Sequence, residues 1–282
     1  MRHRLILAAT AAILSIATPA VAQDAAALPS PEEINKGDSF TVGLGAGLVP
    51  DYEGSDDYRL VPGGAVRGRV GGISFTTRGL YLYVDVIPAA GSGLEFNAGP
   101  IVGVRLNRSS KIKDDIVDVL PDRKRAIEAG GFLGVSAHGL TNPYDTLAFR
   151  VDAVHDVGHA HKSTVITPNV EFSTPLSRTF YVGASASADF VSNRFADYYF
   201  SISPSDALVS GLTPFNASGG MKNWKVGLLA NQSLSGDLLH GFSIFGLGSY
   251  ARLVGDFKRS PIVSNRGSAG QWFGGLGLAY SW

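Results

Sequence analysis

The chain has 282 residues, with 24 basic side chains against 24 acidic ones and no cysteine. Balanced charge argues against a nucleic-acid partner, which needs excess Lys and Arg to neutralise phosphates, and the lack of thiols excludes disulfide staples, thiolate metal sites and a cysteine nucleophile. Only 17% of residues are charged, while glycines number 35 and aromatics reach 10%, a composition suited to strands and tight turns rather than to packed helices.

The first 22 residues read as a targeting segment. Arg2, His3 and Arg4 form a basic start, Leu5 to Ile16 an apolar run, and Ala20-Val21-Ala22 a small-x-small cleavage site. The run is shorter than the roughly 20 residues of a spanning helix, and no cysteine follows to carry a lipid. Residues 23–38, small and acidic with Pro29 and Pro31, read as a flexible periplasmic leader.

From Ser39 the pattern turns to period two and keeps it. Phe40, Val42, Leu44, Ala46 and Leu48 alternate with Thr41, Gly43, Gly45 and Gly47; Leu276, Leu278, Tyr280 and Trp282 alternate with Gly275, Gly277, Ala279 and Ser281. Twelve strands are predicted, at 39–48, 58–70, 72–78, 79–87, 93–107, 130–139, 146–156, 163–173, 178–191, 223–233, 241–254 and 270–282. If the two short pieces between 72 and 87 fail to span, the count is ten. Each strand has one apolar face and one face of Gly, Ser and charge.

A soluble sandwich shows similar alternation. Three features favour a membrane barrel. Several segments reach the roughly 9–11 residues of a tilted spanning strand. Aromatics gather near strand ends (Tyr52, Tyr58, Tyr198, Tyr199, Trp224, Tyr250, Trp272, Tyr280, Trp282), as girdles do. Gly277, Tyr280 and the terminal Trp282 are spaced like the signal read by the barrel-assembly machinery. The fold class expected is therefore all-β, a closed antiparallel transmembrane β-barrel over 39–282. Its short turns face the periplasm and its longer loops, at 49–57, 108–129, 192–222 and 256–269, face outward.

Several stretches are similar to a known family. Pro50-Asp51-Tyr52-Glu53-Gly54-Ser55 lies in the first outer loop. Tyr198-Tyr199-Phe200-Ser201, Ser210-Gly211-Leu212 and Gly219-Gly220 follow in the centre. Arg252-Leu253-Val254-Gly255-Asp256, Ser260-Pro261-Ile262-Val263 and Gly275-Leu276-Gly277-Leu278-Ala279-Tyr280 close the chain. Together they resemble the MipA/OmpV family of outer-membrane proteins, the MltA-interacting proteins. The resemblance implies residence in the Gram-negative outer membrane. It also implies a scaffold that joins a lytic transglycosylase to a penicillin-binding protein in peptidoglycan synthesis. Other members are linked to adhesion or to solute and antibiotic passage. The expected function is a non-catalytic scaffold, with a small-solute or antibiotic-permeable channel as the alternative. Expected partners are outer-membrane lipid and lipopolysaccharide, the barrel-assembly machinery and those murein enzymes.

On the inward face fall Arg59, Arg67, Arg69, Glu95, Arg105, Arg150, Asp152, Glu171, Asp189 and Lys225. A charge there must meet water or an opposite charge. Paired, these residues would plug the lumen; hydrated, they would line a pore and set its selectivity. A mostly filled lumen is expected.

Three further features have modest readings. His155, His159 and His161 beside Asp156 suggest a polar loop tip more than a metal site. The segment Lys111 to Arg125, with Ile112, Ile116, Val117 and Leu120 interleaved, reads as a solvated loop, with a cover over the barrel mouth or a contact to lipopolysaccharide phosphates as alternatives. Tyr198-Tyr199-Phe200 reads as packing for a folded-in loop. No HExxH, GxSxG or phosphate-cradling loop is present, so neither catalysis nor a cofactor is expected.

Overall fold

A computed structural model describes residues 37–89 and 93–282; the predicted signal peptide and nearly all of the predicted leader lie outside them. The strands are β1 (Ser39–Pro50), β2 (Tyr58–Val70), β3 (Ile73–Arg78), β4 (Tyr81–Asp85), β5 (Leu94–Arg105), β6 (Ala126–His138), β7 (Thr146–Asp156), β8 (Thr164–Pro175), β9 (Phe180–Val191), β10 (Gly220–Ser233), β11 (Gly241–Leu253) and β12 (Gly270–Ser281). Five short helices interrupt the outer loops: α1 (Asp115–Asp118), α2 (Asn193–Phe200), α3 (Pro204–Ser210), α4 (Gly255–Arg259) and α5 (Pro261–Ser264).

Each strand pairs antiparallel with its sequence neighbours, and β1 closes on β12 from Thr41↔Ser281 to Leu48↔Gly274. Closure leaves no sheet edge unpaired, which is the condition for placing a sheet in lipid. The alternation decides the faces. Leu44 and Leu278, register partners on β1 and β12, are 69% and 54% exposed, so their row faces lipid and the glycine row faces the lumen.

The doubtful pair near residue 80 is real but short. β3 has 6 residues and β4 has 5, joined at Gly79, whose φ of 60° a tight turn requires. The wall is therefore low there. β6 and β10 instead begin earlier than the sequence pattern indicated, at Ala126 and Gly220, because the loops before them are held in the mouth rather than in solvent.

Five of the nine predicted girdle aromatics fall into two clusters. One is Trp224, Tyr250 and Trp272, with ring centroids 5.6 and 4.8 Å apart. The other, at the opposite rim, joins Phe242, Tyr280, Trp282 and Phe40 at 4.8, 4.6 and 5.5 Å. Tyr52 and Tyr199 do not belong to a girdle. They are buried in the mouth, because their loops turn inward rather than along the membrane surface.

Candidate functional site

The outer end of the barrel is packed like the core of a soluble protein. Phe195, Tyr199 and Phe200 on α2, Phe257 on α4, Ile262 and Val263 on α5, and Tyr52 from the first loop are all buried. Phe200 meets Phe257 edge-on at 5.1 Å. The Ser260 hydroxyl donates to the Phe200 carbonyl at 2.5 Å, and the Tyr52 hydroxyl donates to the Ile262 carbonyl at 2.9 Å. Burial pushes the Tyr52 phenol well above its usual range, so it stays a donor. Gly54 makes this approach possible. Its φ is 105°, and a Cβ there would sit 2.4 Å from the Val263 methyl.

The 108–129 loop joins this plug, correcting its reading as solvated. Asp114 caps α1 by accepting from the Ile116 and Val117 amides at 3.0 and 2.9 Å. Ile112, Val117 and Leu120 then enter the buried cluster. Their apolar area outweighs the charges that flank them, because those charges find partners: Arg266 grips Asp114 at 2.7 and 3.0 Å. Burial pushes the Asp114 carboxyl up, but the Arg266 bonds and the capped amides outweigh it and hold it below the usual range.

Beneath the aromatic layer lies a buried polar network. Glu128 of β6 accepts from Arg105 Nε at 2.8 Å and Nη2 at 3.1 Å, and from the Tyr81 hydroxyl at 2.6 Å, while His161 Nε2 lies 2.8 Å away. Glu53 of the first loop reaches Arg105 at 3.3 Å and Lys222 Nζ at 3.1 Å, linking β5 to β10 across the mouth. Lys222, 1% exposed, also pairs with Asp189 at 3.3 Å. Phe195 sits between the two cations, 5.2 Å from the Arg105 guanidinium and 5.3 Å from the Lys222 ammonium, a cation–π arrangement. A buried charge keeps its place only when fully partnered, so this network both needs the plug and holds it.

Below the network the lumen has two unlike halves. From β3 to β8 it is lined by paired polar groups. Arg78 meets Glu171 at 2.8 Å, Arg150 meets Asp152 at 2.6 Å, Tyr83 donates to Asp152 at 3.0 Å, and Asn97 donates to Asp85 and Glu95 at 2.9 and 3.0 Å. From β9 through β12 to β2 the wall alternates glycines with apolar side chains, the Phe245 and Phe273 rings lying over Gly277 and Gly47. One register row runs Val61–Gly47–Gly275–Leu247–Leu229–Gly183. From Gly47 to Gly183 it lines an apolar cavity of about 760 Å³, in the range of small-molecule chambers.

The ten sequence-selected charges separate accordingly. Arg105 and Asp189 belong to the mouth network. Arg59 lies at the rim, 3.6 Å from Asp51. Arg69, Glu95, Arg150, Asp152 and Glu171 belong to the paired half, with Arg69 Nε donating to Ser74 at 3.0 Å. Arg67 and Lys225 stand on the same inward rows and stay exposed. Gly277 lies under the Phe245 ring, where a Cβ would come within 2.4 Å; Tyr280 and Trp282 stack on the outer wall.

Sequence reasoning did not place Glu53, Tyr81, Glu128, His161 or Lys222 in this network, although Glu53 stands in the first-loop motif and His161 in the histidine cluster. For Lys222 the reason is geometric: the β9–β10 register slips between Met221 and Asn223. That bulge turns two successive residues inward, whereas strict alternation puts Lys222 on the lipid side. Tyr81 obeys the alternation of its predicted strand, whereas Glu128 fell in the predicted 108–129 loop because β6 starts earlier, at Ala126. The three histidines do not converge. His161 enters the network, while His155 faces outward beside Thr164 at 3.0 Å. Among the described residues no group of three His, Cys, Asp or Glu could hold a metal.

A membrane-closed barrel with a family-specific loop signature invites comparison with known proteins. The family described as MltA-interacting protein MipA matches residues 42–282. The chain belongs to the MltA-interacting protein family. It is thus an outer-membrane barrel protein, and the loops that form the plug all fall within the matched region. No curated protein matches it. Among solved structures it is similar to the translocator domain of the autotransporter NalP from Neisseria meningitidis, at 15% identity over 86% of this chain and 87% of that one, with a TM-score of 0.39. An outer-membrane channel from Pseudomonas putida F1 shares 10% identity over 91% and 97%, TM-score 0.42. An anion-selective porin from Comamonas acidovorans shares 9% over 86% and 98%, TM-score 0.36. Scores this low carry neither strand number nor function from those proteins to this one.

Proposed function

We propose that this barrel is a non-conducting, non-catalytic scaffold of the outer membrane. The observation that supports it most is the sealed mouth. Four outer loops interlock through buried apolar side chains above a partnered charge network, leaving solutes no outward route. The family takes its name from interaction with MltA, a lytic transglycosylase. We extend that partnership, and with it a penicillin-binding protein, to this chain. The surface available to such enzymes is the set of periplasmic turns. The 139–145 turn is internally braced, with Asp145 accepting from the Thr141 hydroxyl and from the amides of Leu140 and Thr141 at 2.5, 2.7 and 2.6 Å. Leu140, Leu176 and Leu234 stand exposed on three of these turns.

The channel reading retains one supporting observation, the cavity below the plug with Arg67 and Lys225 exposed nearby. Single-channel recording separates the two. The refolded protein is expected to be silent in a planar bilayer, and removal of the 193–219 loop to produce conductance steps. Stable, charge-selective steps from the intact chain would sink the sealed-scaffold reading. Failure of the lytic transglycosylase to co-purify would remove the partner while leaving the seal untouched.

A further inference from the structure

The lipid-facing rows of the barrel are apolar, small, aromatic or neutral polar with one charged exception. Among the described strand residues on that face, Arg252 carries the single permanent charge. Its register partners are Trp224 on β10 and Gly270 on β12, both on the outward rows, so the guanidinium points away from the lumen. A charge on the lipid face costs about 2–4 kcal/mol at the membrane midplane and about 0–1 kcal/mol at the interface. Arg252 stands at the interface, near the outer end of β11. Its neighbour along the outward row, Tyr250, belongs to the outer girdle. The opposite girdle residue on β12, Tyr280, lies about 27 Å of strand from Trp272, most of the roughly 25 Å apolar band once the strand is tilted.

The arginine closes a groove of about 500 Å³ lined by Asp56, Tyr58, Tyr250, Arg252, Gly270 and Trp272. The walls are fixed. Trp272 and Tyr250 rings lie 4.8 Å apart, and the Trp272 amide donates to the Tyr58 hydroxyl at 3.0 Å. Gly270 keeps the floor bare, since a Cβ would meet the Tyr250 hydroxyl at 3.0 Å. Trp272 is nevertheless 63% exposed. Arg252 has only a 3.5 Å contact with the Tyr250 hydroxyl, at the limit of a hydrogen bond, so nearly its full fork of donors is available.

We infer that this groove binds a phosphorylated glycolipid headgroup of the outer leaflet. The guanidinium fork matches a phosphate, to which it bonds in pairs with charge assistance. Exposed aromatic faces suit the C–H surface of a sugar ring, and Asp56 supplies an acceptor for a sugar hydroxyl at the far end. The groove opens sideways into the membrane at headgroup height, so the source of the phosphate is the lipid. The inference rests on the outer-membrane placement and is independent of whether the barrel scaffolds or conducts.

The test uses the full mature chain refolded without lipopolysaccharide, titrated with diphosphorylated lipid A in mixed micelles and read by tryptophan fluorescence and native mass spectrometry. The intact protein is expected to retain lipid A, and Arg252→Ala to bind it roughly tenfold more weakly. Dephosphorylated lipid A should bind the intact chain as weakly as lipid A binds the variant. Trp272→Leu should weaken both lipids alike, and Leu278→Ala, at mid-wall, neither. Heat-dependent gel mobility checks that each variant is folded; the dephosphorylated arm stands even if Arg252→Ala is not. Equal retention of phosphorylated and dephosphorylated lipid A, or full competition by phosphatidylglycerol or millimolar inorganic phosphate, would overturn the assignment.

Discussion

The mouth and the chamber beneath it are built from the same strands by opposite means. In the mouth, side chains from the loops form a continuous buried cluster, and each charge of the central network has a partner. In the chamber, glycines on adjacent strands leave gaps between apolar side chains such as Leu229 and Leu247, and a cavity remains. The difference shows how one barrel holds a rigid region and a roomy one. Loops have no register to obey, so they can be packed to soluble-core density. Inward rows on β9 to β2 can only be emptied or filled by the residues that alternation places there.

The largest expected effect comes from removing the centre of the mouth network. Glu128→Ala leaves Arg105, His161 and Tyr81 without their shared acceptor, a loss of about 3–5 kcal/mol for a broken buried pair. Amide exchange should rise in the 106–125, 192–219 and 254–269 loops while the strands stay protected. Protection unchanged in those loops would break the claim that the network holds the plug.

A glycine pair sharpens the contrast. Gly54→Ala places a methyl group against Val263 at a φ of 105° and should cost about 1–3 kcal/mol of plug stability. Gly183→Ala meets nothing nearer than 3.7 Å and should stay within about 0.5 kcal/mol. Thermal melts of the two variants side by side are the check, and equal effects would dissolve the distinction between regions.

Smaller still is the effect of Arg108, the mouth's incomplete charge. It donates to the Tyr199 carbonyl at 3.2 Å, but its Nε and Nη2 find no partner. Burial, with Arg123 adding to it, lowers its pKa to about 10, so it remains charged at neutral pH. A buried, half-paired cation is readily replaced by an apolar side chain, and Arg108→Met should leave thermal stability unchanged or raise it by up to about 1 kcal/mol. A clear loss would mean that an unseen acceptor completes the site.

At the opposite end, acid provides a local probe. The Thr141 hydroxyl, followed by the backbone amides of the turn, lowers the Asp145 carboxyl to about 2. A folded pKa below the unfolded value, about 3.9, means that the stabilisation is present above pH 4 and is lost as pH falls toward 2. Exchange at the Leu140 and Thr141 amides should rise in that window and not between pH 5 and 7. Asp145→Asn should remove the pH dependence.

Much of the wall was legible because alternation is a local rule. Leu44 and Gly45 declare opposite faces from sequence alone, and twelve such runs imply a barrel with its long loops at one end. The mouth was legible only in part. Tyr199 and Phe200 look the same in sequence whether they gird a membrane or fill a plug, and Ile112, Val117 and Leu120 sit among charges that suggest solvent.

Where the strands run regularly the sequence by itself determined which residues face lipid, because a two-residue period allows no other choice once one face is apolar. Only the tertiary structure decided what closes the barrel's outer end. Glu53, Glu128, His161 and Lys222 come from a loop, a strand, another loop and a bulge, and they meet because the closed sheet brings those segments together. No local pattern encodes a meeting whose partners are set by closure and by a single slip in register.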